Sequence, residues 1–433
     1  MKLNALARYS MVIGFISLCV SCSDSMKGSD PITLDKAAES YVKLGLQFGQ
    51  YDTDYVDAYL GPSVWAEQAA TALSSKEELS KEISELYALL QNHSPASKDQ
   101  KIRHSSLLRN VRALDTRARM SIGEVFSFAD EASLIYDLTL PSYDFNEFDI
   151  ALNDIAELFP GDGELADRIA AFMESLQVPD DKRDAVMNLA IEECRRRTEY
   201  YIDLPEDERF TLEYVTAKSW TAYNWYQGKN ESLLQINRDI PLRVSGAIAT
   251  GCHEGYPGHH VWNVLVENRL LNERGWIENS IFPLYSPYAL IAEGSANYGV
   301  NMAFPSKEKE AYEREVLYPA AGIESDKAEI LAQLNKLNDK LSFANLATAQ
   351  LYLDGLISRT EAVEQRRKYG LMSKASAEQN VDFIEQYRAY VVNYSLGQDI
   401  IRNHIEKQGD DPAIRWNAFE EILTSLLTAS DLN

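Results

Sequence analysis

The segment His253-Glu254-Gly255-Tyr256-Pro257-Gly258-His259-His260 holds three of the 6 histidines in this chain of 433 residues. Histidine nitrogens and carboxylate oxygens are common ligands of divalent transition metals. On an unbroken α-helix, His259 would lie about 120° around the axis from His253, and His260 would lie about 10.5 Å along it. Neither could then share one ion with His253. A common metal site therefore requires an interruption of the helix.

The same segment contains the residues that interrupt a helix. Pro257 disfavours helical geometry at the preceding residue, Tyr256, and Gly258 permits backbone angles that other residues avoid. We therefore expect a bulge that brings the histidines back together. Glu254 directly follows a candidate ligand, His253, a placement from which a glutamate can act as general base on a metal-bound water.

Composition limits the classes of partner. Apolar residues make up 45% and charged residues 25% of the chain, as in ordinary globular proteins. The formal net charge of −24 argues against binding of nucleic acid or of an anionic membrane by the protein body.

The first residues have the features of a targeting segment. A basic start precedes the apolar stretch Ser10–Val20, which is too short for an ordinary membrane-spanning helix. Cys22 follows this stretch closely, in a context similar to a bacterial lipoprotein signal. We expect a signal peptide over 1–21, lipidation of Cys22 and a tether over 22–32; a plain secretory signal is the alternative. The protein would be an exported, cell-envelope lipoprotein, periplasmic or attached to the outer membrane.

The remaining chain, 33–433, has a mainly helical pattern. Between Glu77 and Leu90, for example, leucine and isoleucine recur at helical spacings. The pattern changes near Leu204-Pro205, so two lobes, 33–205 and 206–433, are conceivable within one domain. We predict a mainly α fold with a small β-sheet beside the interrupted helix.

Three further features surround the histidines. The aromatic cluster Trp220–Tyr226 is typical of packing and of a cleft wall. Ser232–Asn237 has the pattern of a short strand, either an edge strand that pairs with an extended substrate or an internal strand. Cys194 and Cys252 could be joined in an exported protein, or Cys252 could lie near the metal; we favour a buried and structurally neutral role for both.

The histidine segment resembles the HExxPGHH signature of a bacterial family of unknown function that is grouped with gluzincin-type zinc metallopeptidases. The resemblance extends to four other stretches: Trp220–Gly228, Leu234–Asn237, Glu293–Tyr298 and Tyr390–Gly397. It implies a large helical metallopeptidase-like fold.

The resemblance also implies a ligand set for Zn²⁺. Gluzincins take their third ligand from a glutamate on a later helix, and Glu293 fits this place better than the rivals Glu267, Glu273 and Glu278. Asn297 follows one turn later and could hydrogen-bond a ligand histidine. By analogy with shorter HExGH motifs, we favour His259 over His260 as the second ligand, which leaves His260 as the alternative.

A stripe of polar side chains at four-residue spacing follows later in the chain. Tyr394 is a candidate donor to the oxyanion and Arg402 a candidate partner for a substrate carboxylate. Core packing is the alternative for both. Together these residues predict a zinc metallohydrolase, a peptidase in which Glu254 assists the attack of zinc-bound water on a peptide substrate. A cell-wall amidase or other amide hydrolase, or an inactive binding lipoprotein, are the alternatives.

Overall fold

The computed structural model describes residues 33–71, 74–218 and 220–432. The predicted signal peptide (1–21), the tether (22–32) and the lipidation site Cys22 lie outside these residues and stay predictions. Among the residues described, no helix combines the length and apolar character needed to cross a membrane.

The chain is mainly helical, as the sequence predicts. The α-helices of the described residues are α1 (Leu34–Phe48), α2 (Ser63–Thr71), α3 (Lys76–Gln91), α4 (Lys98–Ser121), α5 (Phe128–Tyr136), α6 (Phe145–Leu158), α7 (Leu165–Glu174), α8 (Arg183–Glu199), α9 (Val244–Thr250), α10 (His259–Leu265), α11 (Pro287–Ala303), α12 (Ser306–Tyr312), α13 (Tyr318–Ala321), α14 (Ala328–Leu353), α15 (Arg359–Tyr369), α16 (Lys374–Tyr387), α17 (Val392–Glu406), α18 (Pro412–Thr424) and α19 (Ala429–Leu432). π-Helical turns cover Gly251–Gly255, Val266–Asn272 and Glu313–Leu317, and 3-10 turns cover Ile277–Ser280, Ser325–Lys327 and Arg388–Val391.

Local sequence explains where helices such as α3 begin. Ser75 and Glu78 form a reciprocal capping box, in which each side chain accepts a hydrogen bond from the other residue's backbone N–H. The predicted apolar face of α3 packs into the core through its leucines and Ile83, whereas Leu89 is exposed. The periodicity therefore places the buried face correctly, apart from one residue at its border.

Two small sheets accompany the helices. Strands β1 (Val56–Tyr59) and β5 (Ile281–Pro283) form an antiparallel pair. Strands β2 (Arg209–Val215), β3 (Ala222–Gly228) and β4 (Glu231–Asn237) form a sheet in the order β2-β4-β3.

Strand β4 is the central strand of this sheet. It pairs in parallel with β2 and antiparallel with β3, to which a turn at Lys229 and Asn230 connects it. The edge-strand alternative for Ser232–Asn237 is therefore wrong, because both of its edges already have partners. The edge strands of this sheet are β2 and β3.

The main core contains buried side chains from Leu34 through Leu432 and thus draws on both halves of the sequence. Helices α11 and α17 approach closely at two glycines: a Cβ on Gly294 would lie 2.5 Å from the backbone of Gly397. This contact fixes α11, which carries Glu293, against α17, which carries Tyr394.

A disulfide joins Cys194 of α8 to Cys252 of the π-helical turn. The neutral role favoured for these cysteines is thus wrong. The bond covalently ties α8 to the residue that directly precedes His253, so it fixes the backbone from which this histidine projects.

Candidate metal centre

The predicted interruption of the histidine helix is present. Helix α9 runs into the π-helical turn Gly251–Gly255, in which the N–H of Tyr256 donates to the carbonyl of Gly251 at 3.3 Å. The chain then passes through a cis Tyr256–Pro257 peptide and restarts as α10 at His259. Wide π-helical turns inside helices often occur at functional sites.

Gly258 is required by close backbone contact at this break. Its N–H donates to the carbonyl of Cys252 at 3.0 Å. A Cβ at this position would lie only 1.8 Å from the carbonyl oxygen of His253. Any larger residue would therefore push the two histidine-bearing segments apart.

The break brings His253, His259 and Glu293 together. The Nε2 atoms of the two histidines are 3.1 Å apart, and carboxylate oxygens of Glu293 lie 3.7 Å from His253 Nε2 and 3.8 Å from His259 Nε2. Zinc–ligand bonds of about 2.0–2.1 Å in a tetrahedron imply ligand separations of about 3.3 Å. The three side chains can therefore hold one such ion.

Hydrogen bonding around Glu293 fits a metal ligand. Tyr390 donates its hydroxyl hydrogen to Oε1 at 3.2 Å, whereas the buried Oε2 has no hydrogen-bond partner among the residues described. Buried carboxylate oxygens are normally paired, so an unpaired one at this position suits a metal ligand. Asn297, one turn further along α11, opposes the depression of the pKa of His253, and its amide donates to the backbone carbonyl of Tyr394 at 3.4 Å.

When no metal is bound, burial strongly disfavours the charged forms of the side chains at this centre. It lowers the pKa of His253 to about 4 and holds that of His259 well below its usual range, where the neighbouring His253 adds to the effect. Burial also raises the pKa of Glu293 to about 7. Both histidines are therefore neutral at physiological pH, which is the form that binds metal.

Glu254 lies beside the three candidate ligands but is not one of them. Its side chain lines the same cleft, and its backbone carbonyl accepts a hydrogen bond from Asn224 Nδ2 at 2.5 Å. Burial, reinforced by the charge of Glu293, raises the pKa of Glu254 to about 8. A carboxylate with this pKa can take up and release a proton near neutral pH.

His260 does not join the cluster. Its Nε2 lies 2.7 Å from Oε2 of Glu208 and its Nδ1 lies 2.8 Å from Oγ of Ser232, all in fully buried surroundings. Tyr256 also donates to Glu208, at 2.9 Å. His260 therefore anchors the break to β4, and the choice between the two histidines favours His259 on geometry.

The rival glutamates are engaged elsewhere. Glu267 accepts hydrogen bonds from the Tyr226 hydroxyl and the Lys229 backbone, and Glu278 pairs with Arg103 at 2.6 Å. Glu273 is exposed.

Tyr394 and Arg402, from the stripe at four-residue spacing, lie in different environments. Tyr394 lines the cleft, and its ring lies 5.8 Å from that of Tyr390. Arg402 does not line the cleft and instead pairs with Asp399. Each four-residue step turns a helix by about 40° beyond a full circle, so the eight residues between Tyr394 and Arg402 rotate the side chain by about 80°.

A single cleft of about 970 Å³ adjoins the three candidate ligands. The predicted aromatic wall is present, with Trp220, Tyr223 and Trp225 among its lining residues. Asp57, on β1, also lines the cleft and was missed because a lone aspartate in a four-residue strand carries no sequence signal. Glu208, in the loop before β2, was missed because an isolated glutamate in a loop carries no sequence signal either.

One solved structure shares the fold of this chain. The crystal structure of a candidate lipoprotein from Colwellia psychrerythraea matches with a TM-score of 0.51 and 15% sequence identity, over 93% of this chain and 76% of that one. At this identity the match shows the fold alone. A second match, the M32 carboxypeptidase from Deinococcus radiodurans R1, has a TM-score of 0.39 and 12% identity over 90% of this chain and 88% of that one.

Comparisons with family models and with curated proteins gave no match. No family model matches the chain. No curated protein matches it either. Membership of the family with the HExxPGHH signature therefore stays a prediction.

Proposed function

We propose that this protein is a zinc-dependent hydrolase that cleaves peptide bonds. The observation that carries the proposal is the convergence of His253, His259 and Glu293 at zinc-ligand spacing, with Glu254 beside them in one cleft. Two neutral histidines and one carboxylate are a ligand set that suits zinc and leaves a fourth position for chemistry. When bound, zinc would polarise the scissile carbonyl and lower the pKa of water at the site.

Residues of the chain would supply proton transfer, oxyanion stabilisation and orientation of the ligands. Glu254 takes a proton from the attacking water and returns it to the leaving amine, a role that its raised pKa supports. Tyr394 donates a hydrogen bond to the developing oxyanion. Burial raises the pKa of Tyr394, so its hydroxyl keeps its proton at neutral pH. Tyr390 and Asn297 orient Glu293 and His253.

We further propose that the enzyme acts outside the cytoplasm, anchored to a membrane through Cys22. The disulfide between Cys194 and Cys252 supports export, because disulfides persist mainly in oxidising compartments. The fold that the chain shares with a candidate lipoprotein is consistent with this location.

The test compares zinc content and hydrolysis in wild type, Glu254→Gln and a control, Glu273→Gln, whose side chain is exposed outside the cleft. A library of peptides and muropeptides serves as substrate. We expect one zinc per chain in all three proteins, and loss of hydrolysis by at least about 10³-fold only in Glu254→Gln. Undiminished hydrolysis by that variant would refute the assigned base. Cleavage of muropeptides alone would replace the peptidase by an amidase.

A further inference from the structure

The cleft is lined by acidic side chains and by no strongly basic ones of the described chain. Four carboxylates line it, those of Asp54, Asp57, Glu254 and Glu293, whereas no lysine or arginine of the described chain does so. A divalent ion at the candidate centre would offset the two glutamates. The charges of the two aspartates then remain unbalanced inside the cleft.

Asp57 is held so that it faces this space. The Tyr223 hydroxyl donates to its Oδ1 at 2.5 Å, across the gap between β1 and the edge strand β3. Asp57 is exposed, and within the residues that the structure describes its other carboxylate oxygen takes no hydrogen bond and it forms no salt bridge. The negative charge of Asp57 contributes to the raised pKa of both Glu254 and Glu293, so it acts on the same space as the candidate centre.

Aromatic rings complete the surroundings of Asp57. The ring of Tyr223 lies 4.8 Å from that of Trp225 and 5.9 Å from that of Trp220. Ring faces attract cations at exposed sites as well as at dehydrated ones. The ammonium group of Lys218 lies 5.8 Å from the centre of the Trp220 ring, but Lys218 does not line the cleft. A carboxylate among aromatic rings is suited to bind an ammonium or guanidinium group.

Without a lysine or arginine among its described lining residues, the cleft also lacks a cationic side chain that could bind the C-terminal carboxylate of a peptide. A substrate's terminal carboxylate is bound most strongly by a cationic side chain, above all by arginine. Within the parts of the chain that the structure covers, the cleft offers none, since Arg402 lies elsewhere and pairs with Asp399.

We propose that the cleft selects peptides that carry a positively charged group beside the scissile bond, bound by Asp57 and the ring of Tyr223, and that it does not anchor a C-terminal carboxylate. This inference rests on the proposed peptidase function. It names a basic side chain or a free amino terminus as the feature recognised.

The experiment measures binding separately from cleavage. The zinc-loaded Glu254→Gln protein is titrated with fluorescent octapeptides that differ only in one residue, which is lysine, norleucine or glutamate at each central position in turn. Each peptide is made with a free and with an amidated C-terminus, and also with a free and an acetylated N-terminus. The same set is then digested by the wild type.

We expect the best peptide with a lysine or a free amino terminus to bind at least about tenfold more tightly than its neutral counterpart, and the glutamate peptide to bind most weakly. Adding Asp57→Asn should reduce the lysine-to-norleucine ratio below threefold, while zinc content, the check on folding, stays at one per chain. The control Asp162→Asn, in an exposed turn, should leave the ratio unchanged. Amidation should change affinity less than threefold.

Equal or tighter binding of neutral or acidic peptides, or no binding of any peptide, would overturn the inference. A tenfold loss on amidation would overturn its second part. Selective binding of basic peptides without cleavage by the wild type would leave the inference standing and refute the peptidase. Cleavage by the wild type without preference for charge would refute the inference and leave the proposed peptidase function standing.

Discussion

Gly258→Ala tests whether the break in the histidine helix builds the metal centre. The new Cβ would lie 1.8 Å from the carbonyl oxygen of His253, whereas ordinary contacts begin at 3.4 Å, so the backbone must move by about 1.6 Å. Zinc sites tolerate shifts of only about 0.2 Å in their ligand distances. We therefore expect zinc affinity to fall at least about 100-fold, and the free energy of unfolding to fall by about 3 kcal/mol.

Isothermal titration with zinc and urea denaturation of the metal-free protein measure the two effects separately. The matched control is Gly246→Ala in α9, where the nearest atom to the new Cβ is a leucine methyl at 3.9 Å. This change should keep zinc affinity and raise stability by roughly 0.5–1 kcal/mol, since alanine favours helix. Zinc affinity within threefold of wild type in Gly258→Ala would refute the argument that close backbone contact holds the two histidines together.

Three other predictions concern the surroundings of the centre. Replacing Cys194 and Cys252 by serine should lower the free energy of unfolding in urea by about 4 kcal/mol, because the disulfide closes a loop with a sequence separation of 58; a loss below 1 kcal/mol would contradict a stabilising role. In Glu254→Gln, zinc affinity measured by calorimetry should rise about tenfold per pH unit between pH 5 and 7 and then level off. The reason is that metal-free Glu293 has a pKa of about 7 and must release its proton, whereas the histidines are already neutral. A zinc affinity that does not change with pH would contradict this prediction. His260→Leu should lower the free energy of unfolding by about 1–3 kcal/mol, because the buried Glu208 carboxylate loses its hydrogen bond to the imidazole but keeps Tyr256 and Arg195 as partners. The variant should still bind one zinc; loss of zinc from a folded variant would make His260 a ligand.

The local part of the centre could be predicted from sequence because its residues are close in the chain. The spacing of His253 and His259 is incompatible with a straight helix, and Pro257 and Gly258 supply the break, so helix geometry predicts the interruption. The preference for His259 over His260 came from analogy with a known motif. Glu293 lies on another helix, and only the resemblance to a known motif indicated it.

The rest depends on contacts that no local pattern encodes. Glu208 meets His260 from 52 residues away, and Cys194 meets Cys252 from 58 residues away. Strand β4 is central because β2 pairs with it in parallel, which its own alternation of residues cannot reveal. Likewise, a four-residue spacing alone does not show that Arg402 turns away from the cleft.

Metal analysis of the purified protein tests the central claim most directly. After incubation with zinc and removal of the excess, wild type and the control Glu273→Gln should each retain one zinc per chain, whereas His259→Asn and Glu293→Gln should retain less than a tenth. Folding of all four proteins is checked by circular dichroism. Full zinc content in a folded His259→Asn or Glu293→Gln protein, or none in the wild type, would contradict the proposed centre.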